Sequence, residues 1–531
     1  MGPVAAHDWQ GAFRRANTVG KLVTVVRAGH NRPMGLPFLG AMLAAVMLGV
    51  GGRVAQAAPG ELRLADIVAV AVRQSPELER ARIDVAAARA ELERARGVED
   101  TQIGAQASAV AVHTPRTDPQ GEYEQREVTL ALSATRRLAT GGQLGVTVSG
   151  DRLHLVGESR RDDGTVDKNG VDSRYLASVA VALNQPLLRG AGSTAFEAPI
   201  RQAARQRDAA ALTQEAKARD LVVSLAQAYW EVAFAWRQLE VRKASLDLAQ
   251  KQLAYTEGAI RAEKVPRSEA LAVQQAIAIR KQDVIAGEQA LYEQSLALRQ
   301  LAGLEIGPDA LAVTTEALPV KIEAEGVEPA AVVRAAFDHS PELAALEAIR
   351  HAAEIGVAAA DNAARSKLDL DVVAGPTGAD ADLGRALSSG VNHPGYSISG
   401  SLTFAHAIEG RAEHGTQAAA RAAVAAAQVA ERAARARLAV RATRAVQRAR
   451  AAVARIALGD EAIGLAEQNI AAEQRRFELG KSTNFEVLRR QDELEQARLR
   501  QAAATSDYLA ARADLDGLSG AILARYGIVM P

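Results

Sequence analysis

The sequence predicts a mainly α-helical protein with a strand-rich portion, assembled from two structural repeats that each carry a long helical hairpin. Three observations predict this fold class. Distant segments match each other at fixed offsets, the composition favours long helices, and two regions alternate between apolar and polar residues. Matches at a fixed offset indicate an internal repeat, and alternation with a period of two is typical of strands with one wet and one apolar face.

The clearest repeat relates residues 474–520 to residues 257–303. The offset is 217 residues, the difference between positions 520 and 303. In both copies a helical run is interrupted by Gly, Pro, Ser or Thr residues and then resumes, which predicts a helical hairpin used twice. Identical pairs at this offset include Lys264 and Lys481, Glu269 and Glu486, Leu271 and Leu488, Gln274 and Gln491, Leu298 and Leu515, Leu301 and Leu518, and Gly303 and Gly520.

A second match supports the duplication and locates an insertion. The sequence Ser-Pro-Glu-Leu at residues 75–78 recurs at residues 340–343, an offset of 265 (340 minus 75). Pro after Ser is a common helix start, so we interpret each copy as a helix cap. Because 265 exceeds 217 by 48, the first repeat carries 48 additional residues between this cap and its hairpin.

The composition excludes several classes of function. The 531 residues are 48% hydrophobic but only 4% aromatic, and much of the apolar content is Ala, which suits long helices that pack closely. The 63 basic and 63 acidic residues cancel, so charge gives no reason to expect a nucleic-acid partner. The absence of Cys excludes disulfides, thiolate metal sites and a Cys nucleophile.

Residues 1–57 are predicted to be a signal peptide with an extended basic lead. Arg14 to Arg32 supply basic side chains, residues 38–50 are apolar, and small residues at 55–57 suit cleavage. A membrane anchor is disfavoured because the apolar run is shorter than the roughly 20 residues that span a bilayer. We therefore expect a first repeat at 58–325, a second at 326–520 and a tail at 521–531.

Within each repeat, short helices precede strands and strands precede a hairpin. Helices are predicted at about 62–97 and 329–365, and strands at about 100–185 and 367–405. The insertion is most simply an extra strand hairpin around residues 126–153, followed by a charged loop at 158–173. A Gly-, Asp- and Pro-rich loop is predicted between the strands of the second repeat.

The helical hairpins are predicted at about 196–303 and 410–518. At 1.5 Å per residue, the longer helix of each would measure roughly 90 to 100 Å. No long apolar run follows the signal segment, so an exported chain of this kind is either soluble or inserted through strands. The histidines lack metal-ligand spacing, and no phosphate loop or nucleophile elbow occurs, so we expect no catalysis, cofactor or metal site.

Two motifs resemble the TolC-type outer-membrane efflux protein family. One is the strand-to-helix segment Gln185, Pro186, Leu187, Leu188, Arg189 and Gly190, and the other is the hairpin tip at residues 477–488. The resemblance implies a TolC-like trimer in which strands close one barrel in the outer membrane and long hairpins cross the periplasm. It also implies a passive exit duct for tripartite efflux or type I secretion, with a periplasmic adaptor, an inner-membrane pump and outer-membrane lipid as partners.

The chain departs from that family in its strand region. Members typically supply four strands per protomer, and the extra hairpin around residues 126–153 would raise this number to six. Alternatively, the insertion folds as a lid outside the membrane. The sequence leaves both possibilities open.

The resemblance also selects residues at the periplasmic tip. Gly480, Lys481, Ser482, Thr483 and Asn484 form the predicted turn, after which Glu486 is the candidate for a ring of carboxylates at a pore aperture. Arg489, one helical turn later, would pair with Glu486 and weaken that effect. Glu269 is the repeat equivalent and a weaker candidate. A structural alternative, equally compatible with the sequence, is a capping box formed by Thr483 and Glu486.

A second class of function remains possible from the sequence. Long helical hairpins also occur in periplasmic structural or adaptor proteins that have no membrane barrel. Such a protein would have strands whose outer face is polar. No motif identifies a transported substrate.

Overall fold

The computed structural model of the chain describes residues 63–114, 123–160, 163–306, 315–319, 322, 328–392 and 394–528. These residues belong to one compact unit that spans Gly60–Pro531. The predicted signal peptide at 1–57 lies outside the described residues. The predicted long helices and strands are confirmed: long helices dominate, and one antiparallel sheet is built from both repeats.

The two repeats have the same order of elements, except that the first has two additional strands and a short 3-10 helix and the second has an additional α-helix between its strands. The first contains α1 (Leu64–Gln74), α2 (Pro76–Arg96), a short 3-10 helix (Gly97–Glu99), β1 (Gln102–Thr114), β2 (Tyr123–Arg137), β3 (Gln143–Arg160), β4 (Val166–Pro186), α3 (Ser193–Arg261) and α4 (Ser268–Ala302). The second contains α5 (Pro329–Asp338), α6 (Pro341–Ala363), β5 (Lys367–Asp380), α7 (Leu383–Asn392), β6 (Gly395–Ala405), α8 (Arg411–Glu478) and α9 (Asn484–Leu518), before α10 (Ala521–Arg525).

The Ser-Pro-Glu-Leu sequences start helices in both repeats. Pro76 and Pro341 are the first residues of α2 and α6, where proline loses no helical hydrogen bond. The hydroxyl of Ser340 accepts a hydrogen bond from the Leu343 N–H at 3.2 Å. Ser75 makes no such side-chain cap, so the two copies share the helix start but not the cap hydrogen bond.

The long helices α3 and α8 contain 69 and 68 residues, so each is about 100 Å long. Each packs antiparallel against the shorter helix that follows it, and α3 also packs against α9 of the other repeat. The largest apolar core surrounds the fully buried Tyr229 and contains residues of α1, α2, α3, α4, α9 and α10. Within the described ranges, no helix combines the length and apolarity that a membrane crossing requires.

The sheet contains six antiparallel strands in chain order, from β1 at one edge to β6 at the other. The pairing of β4 with β5 joins the two repeats. The insertion predicted around residues 126–153 forms β2 and β3, which pair with each other and with their neighbours in the sheet. The described part of the chain therefore contains six strands, and the alternative in which this hairpin forms a lid is wrong.

Two loop predictions are also wrong. Residues 158–173 were expected to form a charged loop, but β3 continues to Arg160, which pairs with Val166 at the start of β4. In the second repeat, β5 continues through Gly375 and Pro376 to Asp380, and the helix α7 follows it. Both segments contain few bulky residues, so the sequence pattern predicted neither the extended β3–β4 hairpin nor helix α7.

The two faces of the sheet differ in polarity. Hydrogen bonds between neighbouring strands place Ser149 opposite Ser178 (2.8 Å) and Asn184 opposite Asp371 (2.6 Å) on one face. The alternating residues of the same strands lie on the other face, which is apolar and exposed. Its large side chains include Val128, Leu130, Leu132, Val146, Val148, Val179, Val181, Ile398, Leu402 and Phe404.

Candidate functional site

The two hairpin tips have the same backbone geometry. In both, three hydrogen bonds close the turn that ends the long helix. In the second repeat the N–H groups of Leu479, Gly480 and Lys481 donate to the carbonyls of Arg475, Phe477 and Arg476, and in the first repeat those of Ala262, Glu263 and Lys264 donate to Gly258, Ile260 and Ala259. The repeat seen in the sequence therefore extends to individual backbone hydrogen bonds.

The residue at the sharpest point of each turn differs between the repeats. Gly480 has φ of 69°, and its equivalent Glu263 has φ of 58°. A left-handed conformation strains residues that carry a Cβ atom. Among the described residues, Glu263 is the one non-glycine residue with positive φ.

Asn484 is fully buried at the start of α9 and connects the two hairpins. Its side-chain Oδ1 accepts hydrogen bonds from Gln252 Nε2 at 2.7 Å and from Thr256 Oγ1 at 3.0 Å, both on α3. Its backbone N–H and its Nδ2 each donate to Glu269 Oε2 at 3.1 Å, on α4. We call these four residues, Asn484, Gln252, Thr256 and Glu269, the tip latch.

The aperture candidate Glu269 therefore contacts the other hairpin directly. Its carboxylate satisfies the first N–H of α9, a group that has no partner within its own helix. A carboxylate at a helix N-terminus is also favoured by the helix dipole. The prediction of a capping box at this helix start is wrong, because Thr483 is exposed and makes no side-chain cap hydrogen bond.

Glu486 is half-buried in the first turn of α9, and its carboxylate has no hydrogen bond or ion pair within the described part of the chain. The predicted pairing of Glu486 with Arg489 is wrong. Arg489 Nε instead lies 3.5 Å from Glu493 Oε1, and Arg490 Nη1 donates to Glu493 Oε2 at 2.7 Å. The hydrogen bond to Glu493 raises the pKa of the Arg490 guanidinium, and the negative charge of Glu486 adds to this effect.

The predicted turn residues divide into exposed and anchored positions. Lys481 and Thr483 are exposed, whereas Asn484 is buried. The hydroxyl of Ser482 donates a hydrogen bond to the buried carboxylate of Glu473 on α8. The turn is thus fixed to its own hairpin through Ser482 and to the other hairpin through Asn484.

A second polar contact lies above the tip latch. Arg280 on α4 is nearly buried, and its Nη1 donates to the Ser245 carbonyl at 3.1 Å and to Gln491 Oε1 at 2.9 Å. Its Nη2 donates to Asp492 Oδ1 at 2.7 Å. Arg280 therefore joins α4 to α3 and to α9 of the other repeat.

The strand-to-helix segment fixes the end of β4 to the second repeat. Gln185 and Pro186 end β4, and the side-chain Nε2 of Gln185 donates to the Thr140 carbonyl at 3.3 Å in the β2–β3 turn. Leu187 N–H donates to the Leu368 carbonyl at 2.7 Å. Leu188 is exposed.

Arg189 and Gly190 continue the same connection. Arg189 Nε donates to the Arg365 carbonyl at 2.8 Å, and its Nη2 lies 3.2 Å from Glu413 Oε1 at the start of α8. The backbone hydrogen bond of Glu413 and its contact with Arg189 together lower the pKa of this carboxyl group. Gly190 N–H donates to Asn362 Oδ1 at 2.7 Å. This motif links the sheet to α6 and α8.

Sequence reasoning missed the partners that cross between the repeats. Gln252, Thr256 and Arg280 were not selected, because their contacts with α9 depend on the packing of the two hairpins. A weak signal was available in the polar residues at buried positions of otherwise apolar helix faces. Among the described residues, no group of three or more His, Asp or Glu side chains is arranged to hold a metal ion.

Comparison with known proteins identifies a family. The family model described as "Outer membrane efflux protein" matches residues 152–304 and 332–521, which include both helical hairpins. No curated protein gives a significant match.

Several solved structures are similar in fold. The outer membrane protein VceC from Vibrio cholerae has a TM-score of 0.62 at 17% identity, with 86% of this chain and 96% of that chain covered. The CmeC outer membrane channel of Campylobacter jejuni gives 0.62 at 12% identity, with 86% and 85% covered. The open state of the Neisseria gonorrhoeae MtrE outer membrane channel gives 0.56 at 16% identity, with 87% and 89% covered.

Proposed function

The chain belongs to the outer membrane efflux protein family, and we propose that it works as a homotrimer whose three sheets close one barrel in the outer membrane. Its helical hairpins form a tunnel that extends into the periplasm. Substrate moves passively through this duct, and we expect no catalytic step or cofactor. A periplasmic adaptor connects the tip to an inner-membrane pump that supplies the energy for transport.

The observation that carries the proposal is the exposed apolar face of a sheet with two edges. Strand edges in lipid leave backbone N–H and C=O groups without partners, which is strongly unfavourable. Among the described residues, β1 and β6 each pair with one neighbour only. Pairing β6 of one copy with β1 of the next satisfies these edges, and three copies of the six-stranded sheet supply eighteen strands.

The other class of function, a periplasmic helical-hairpin protein without a membrane barrel, is not favoured. It predicts a sheet whose outer face is polar. Leu130, Leu132 and Ile398 are instead exposed on that face, where lipid would cover them. Family membership points in the same direction.

The test of the duct is electrical. The purified protein in a planar bilayer should produce discrete conductance steps, because a closed barrel of this size leaves an aqueous channel. A trimer that inserts stably but never conducts would contradict the proposal. A water-soluble monomer would contradict the barrel itself.

We propose further that the tip latch holds the periplasmic end closed. Opening requires the helices of the two hairpins to part, and the latch joins them through a buried Asn484. Truncating one member of such a buried polar cluster costs about 1–3 kcal/mol, because its partners lose their hydrogen bonds. Since 1.4 kcal/mol corresponds to a factor of about ten, such a loss changes the open population measurably.

Asn484→Ala should therefore raise the open probability of single channels about tenfold or more, as judged from bilayer recordings. Thr483→Ala is the matched control, because Thr483 is adjacent, exposed and makes no side-chain cap hydrogen bond. The control should behave like the unsubstituted protein. Equal open probabilities for Asn484→Ala and Thr483→Ala would exclude the latch from gating.

Glu486 is proposed to line the aperture, since its half-buried carboxylate has no ion-pair partner in the described structure. Three such carboxylates around one axis attract cations. Glu486→Gln should lower the cation-to-anion permeability ratio, measured as a reversal potential in a salt gradient. The control is Glu461→Gln, an exposed carboxylate on α8 far from the tip. Unchanged selectivity would remove Glu486 from the aperture and leave the duct intact.

A further inference from the structure

Helix α7 lies on the apolar face of the sheet. An added Cβ on Gly378 of β5 would lie 2.1 Å from the Ala386 carbonyl oxygen and 2.4 Å from the Gly390 nitrogen, both on α7. Ala177, which pairs with Gly378 across the β4–β5 ladder, is only 6% exposed. Ala177 lies on the same face of β4 as Val179 and Val181. Helix α7 therefore covers the apolar face of the sheet at Gly378 and Ala177.

One flank of α7, beside the side that packs on the sheet, is apolar. Ala386 is fully buried against β5, whereas Leu383, Leu387 and Val391 are 46%, 52% and 79% exposed. Their spacing of four residues places them along one stripe of the helix. No described residue of the protomer covers this stripe.

The position of α7 along the strands matches a membrane boundary. The apolar face of β6 begins at Tyr396 and ends at Phe404, about 26 Å along the strand at roughly 3.3 Å per residue. This length is close to the roughly 25 Å apolar band of outer-membrane barrels, whose borders carry aromatic residues. Gly378 lies just beyond Pro376, the partner of Tyr396, near the end of β5 that is remote from the long helices.

Basic and aromatic side chains accompany α7 at this level. Tyr175 pairs with Asp380 at the end of β5, and the guanidinium of Arg152 lies 5.8 Å from the centre of the Tyr175 ring. Arg385 is exposed on α7 itself. The nearby Asp382 carboxylate accepts a hydrogen bond from the Arg385 backbone N–H at 3.2 Å and so caps the helix. Two exposed guanidinium groups at the border of an apolar band suit anionic lipid headgroups.

We propose that α7 is a lipid anchor that lies in the interface of the outer leaflet. Leu383, Leu387 and Val391 insert between acyl chains, and Arg152 and Arg385 contact anionic headgroups. A short amphipathic helix with this distribution binds at the boundary between headgroups and acyl chains. The inference rests on the proposed barrel, because the apolar face of the sheet must itself be in lipid.

The experiment uses the absence of cysteine from the chain. An environment-sensitive fluorophore is attached to Leu387→Cys in the full-length trimer, reconstituted in vesicles of phosphatidylcholine and phosphatidylglycerol. Quenching by nitroxides at shallow and deep acyl positions is compared with quenching by aqueous iodide. Leu130→Cys in the apolar band and Leu458→Cys on the exposed side of α8 are the controls, and both side chains are highly exposed in the protomer.

Leu387 should be quenched more by the shallow nitroxide than by the deep one, and about threefold less by iodide than Leu458 is. Iodide quenching equal to that of Leu458 would place α7 in water and overturn the anchor. Protection from both kinds of quencher would mean that protein covers the stripe, which overturns it equally. If Leu130 is also quenched by iodide, the barrel placement has failed rather than α7 alone.

A comparison of two lipid compositions tests the contribution of Arg152 and Arg385. Protection of Leu387 from iodide should be greater in the mixed vesicles than in pure phosphatidylcholine, and Arg385→Gln should reduce this difference. Equal protection in both vesicle types would overturn the headgroup contact. The lipid composition distinguishes this result from insertion of the apolar stripe, which requires no anionic headgroup.

Discussion

The residue at the point of each hairpin turn has to accept a positive φ, and the two repeats meet this demand with different residues. Gly480 has no Cβ atom and adopts this conformation without strain, whereas Glu263 adopts it with a complete side chain. A residue with a Cβ in this region pays about 1–3 kcal/mol in strain. Gly480→Ala should therefore destabilise its turn, whereas Glu263→Gly should relieve strain but increase the entropy of the unfolded segment.

Hydrogen exchange at the turns measures this difference. The Lys481 N–H is bonded to the Arg476 carbonyl at 2.8 Å, so its exchange reports local opening. Gly480→Ala should speed this exchange about fivefold or more, which corresponds to a loss of about 1 kcal/mol. Glu263→Gly should change exchange at Lys264 less than about twofold, because its two effects oppose each other. An unaffected Lys481 amide would mean that the turn tolerates a Cβ.

The partners of individual side chains could not be predicted from the sequence. The offset of 217 residues correctly paired Glu269 with Glu486, yet the two carboxylates have different surroundings. Glu269 binds Asn484, whereas Glu486 has no such partner in the described structure. The repeat equivalent of Asn484 is Arg267, so duplication could not predict the latch. Side-chain partners depend on how the hairpins pack, which periodicity does not encode.

At the scale of elements, the contact between hairpins changes along its length. Near the core around Tyr229 it is mainly apolar, with one hydrogen bond from Ser506 Oγ to the Trp230 carbonyl at 3.2 Å, and near the tip it includes the latch and Arg280. Polar contacts exchange with water at less cost than apolar ones when helices separate. We therefore expect the hairpins to part at the tip before their upper portions separate.

Arg280 provides the test of this arrangement. Arg280→Met keeps a long side chain but removes hydrogen bonds to Ser245, Gln491 and Asp492. The loss of partners for two buried acceptors should cost about 1–3 kcal/mol and speed hydrogen exchange in α9 around Gln491. Arg489→Met is the control, since Arg489 is exposed and its ion pair stays within α9. Equal exchange in both variants would show that Arg280 does not hold the contact.

The elements that the sequence could predict are those with a strong periodic pattern. The long helices, the breaks between short helices at Ser75 and Ser340, and the alternating strands gave strong signals. The helix α7 has only ten residues, and Gly384, Ser388 and Gly390 weaken its pattern. Its position depends on the small residues Gly378 and Ala177, which accommodate it. A contact of that kind becomes visible only after the sheet register is known.

At the scale of the whole molecule, the proposed duct has one wide and one narrow end. A barrel of sixteen to eighteen strands leaves an aqueous channel, whereas the tip is held by the latch around Asn484. Native mass spectrometry in detergent should find three copies of the chain. A mass of one copy would leave the edges of β1 and β6 without partners and contradict the closed barrel.

The difference between the two ends predicts asymmetric access for polymers. Poly(ethylene glycol) small enough for the barrel should lower single-channel conductance when added on the barrel side, because it displaces ions from the wide part of the channel. The same polymer added on the tip side should have little effect on the unsubstituted protein, since the latched tip excludes it. Asn484→Ala should remove much of this asymmetry, and Thr483→Ala should retain it. Equal access from both sides in the unsubstituted protein would place the narrowest point of the duct away from the hairpin tips.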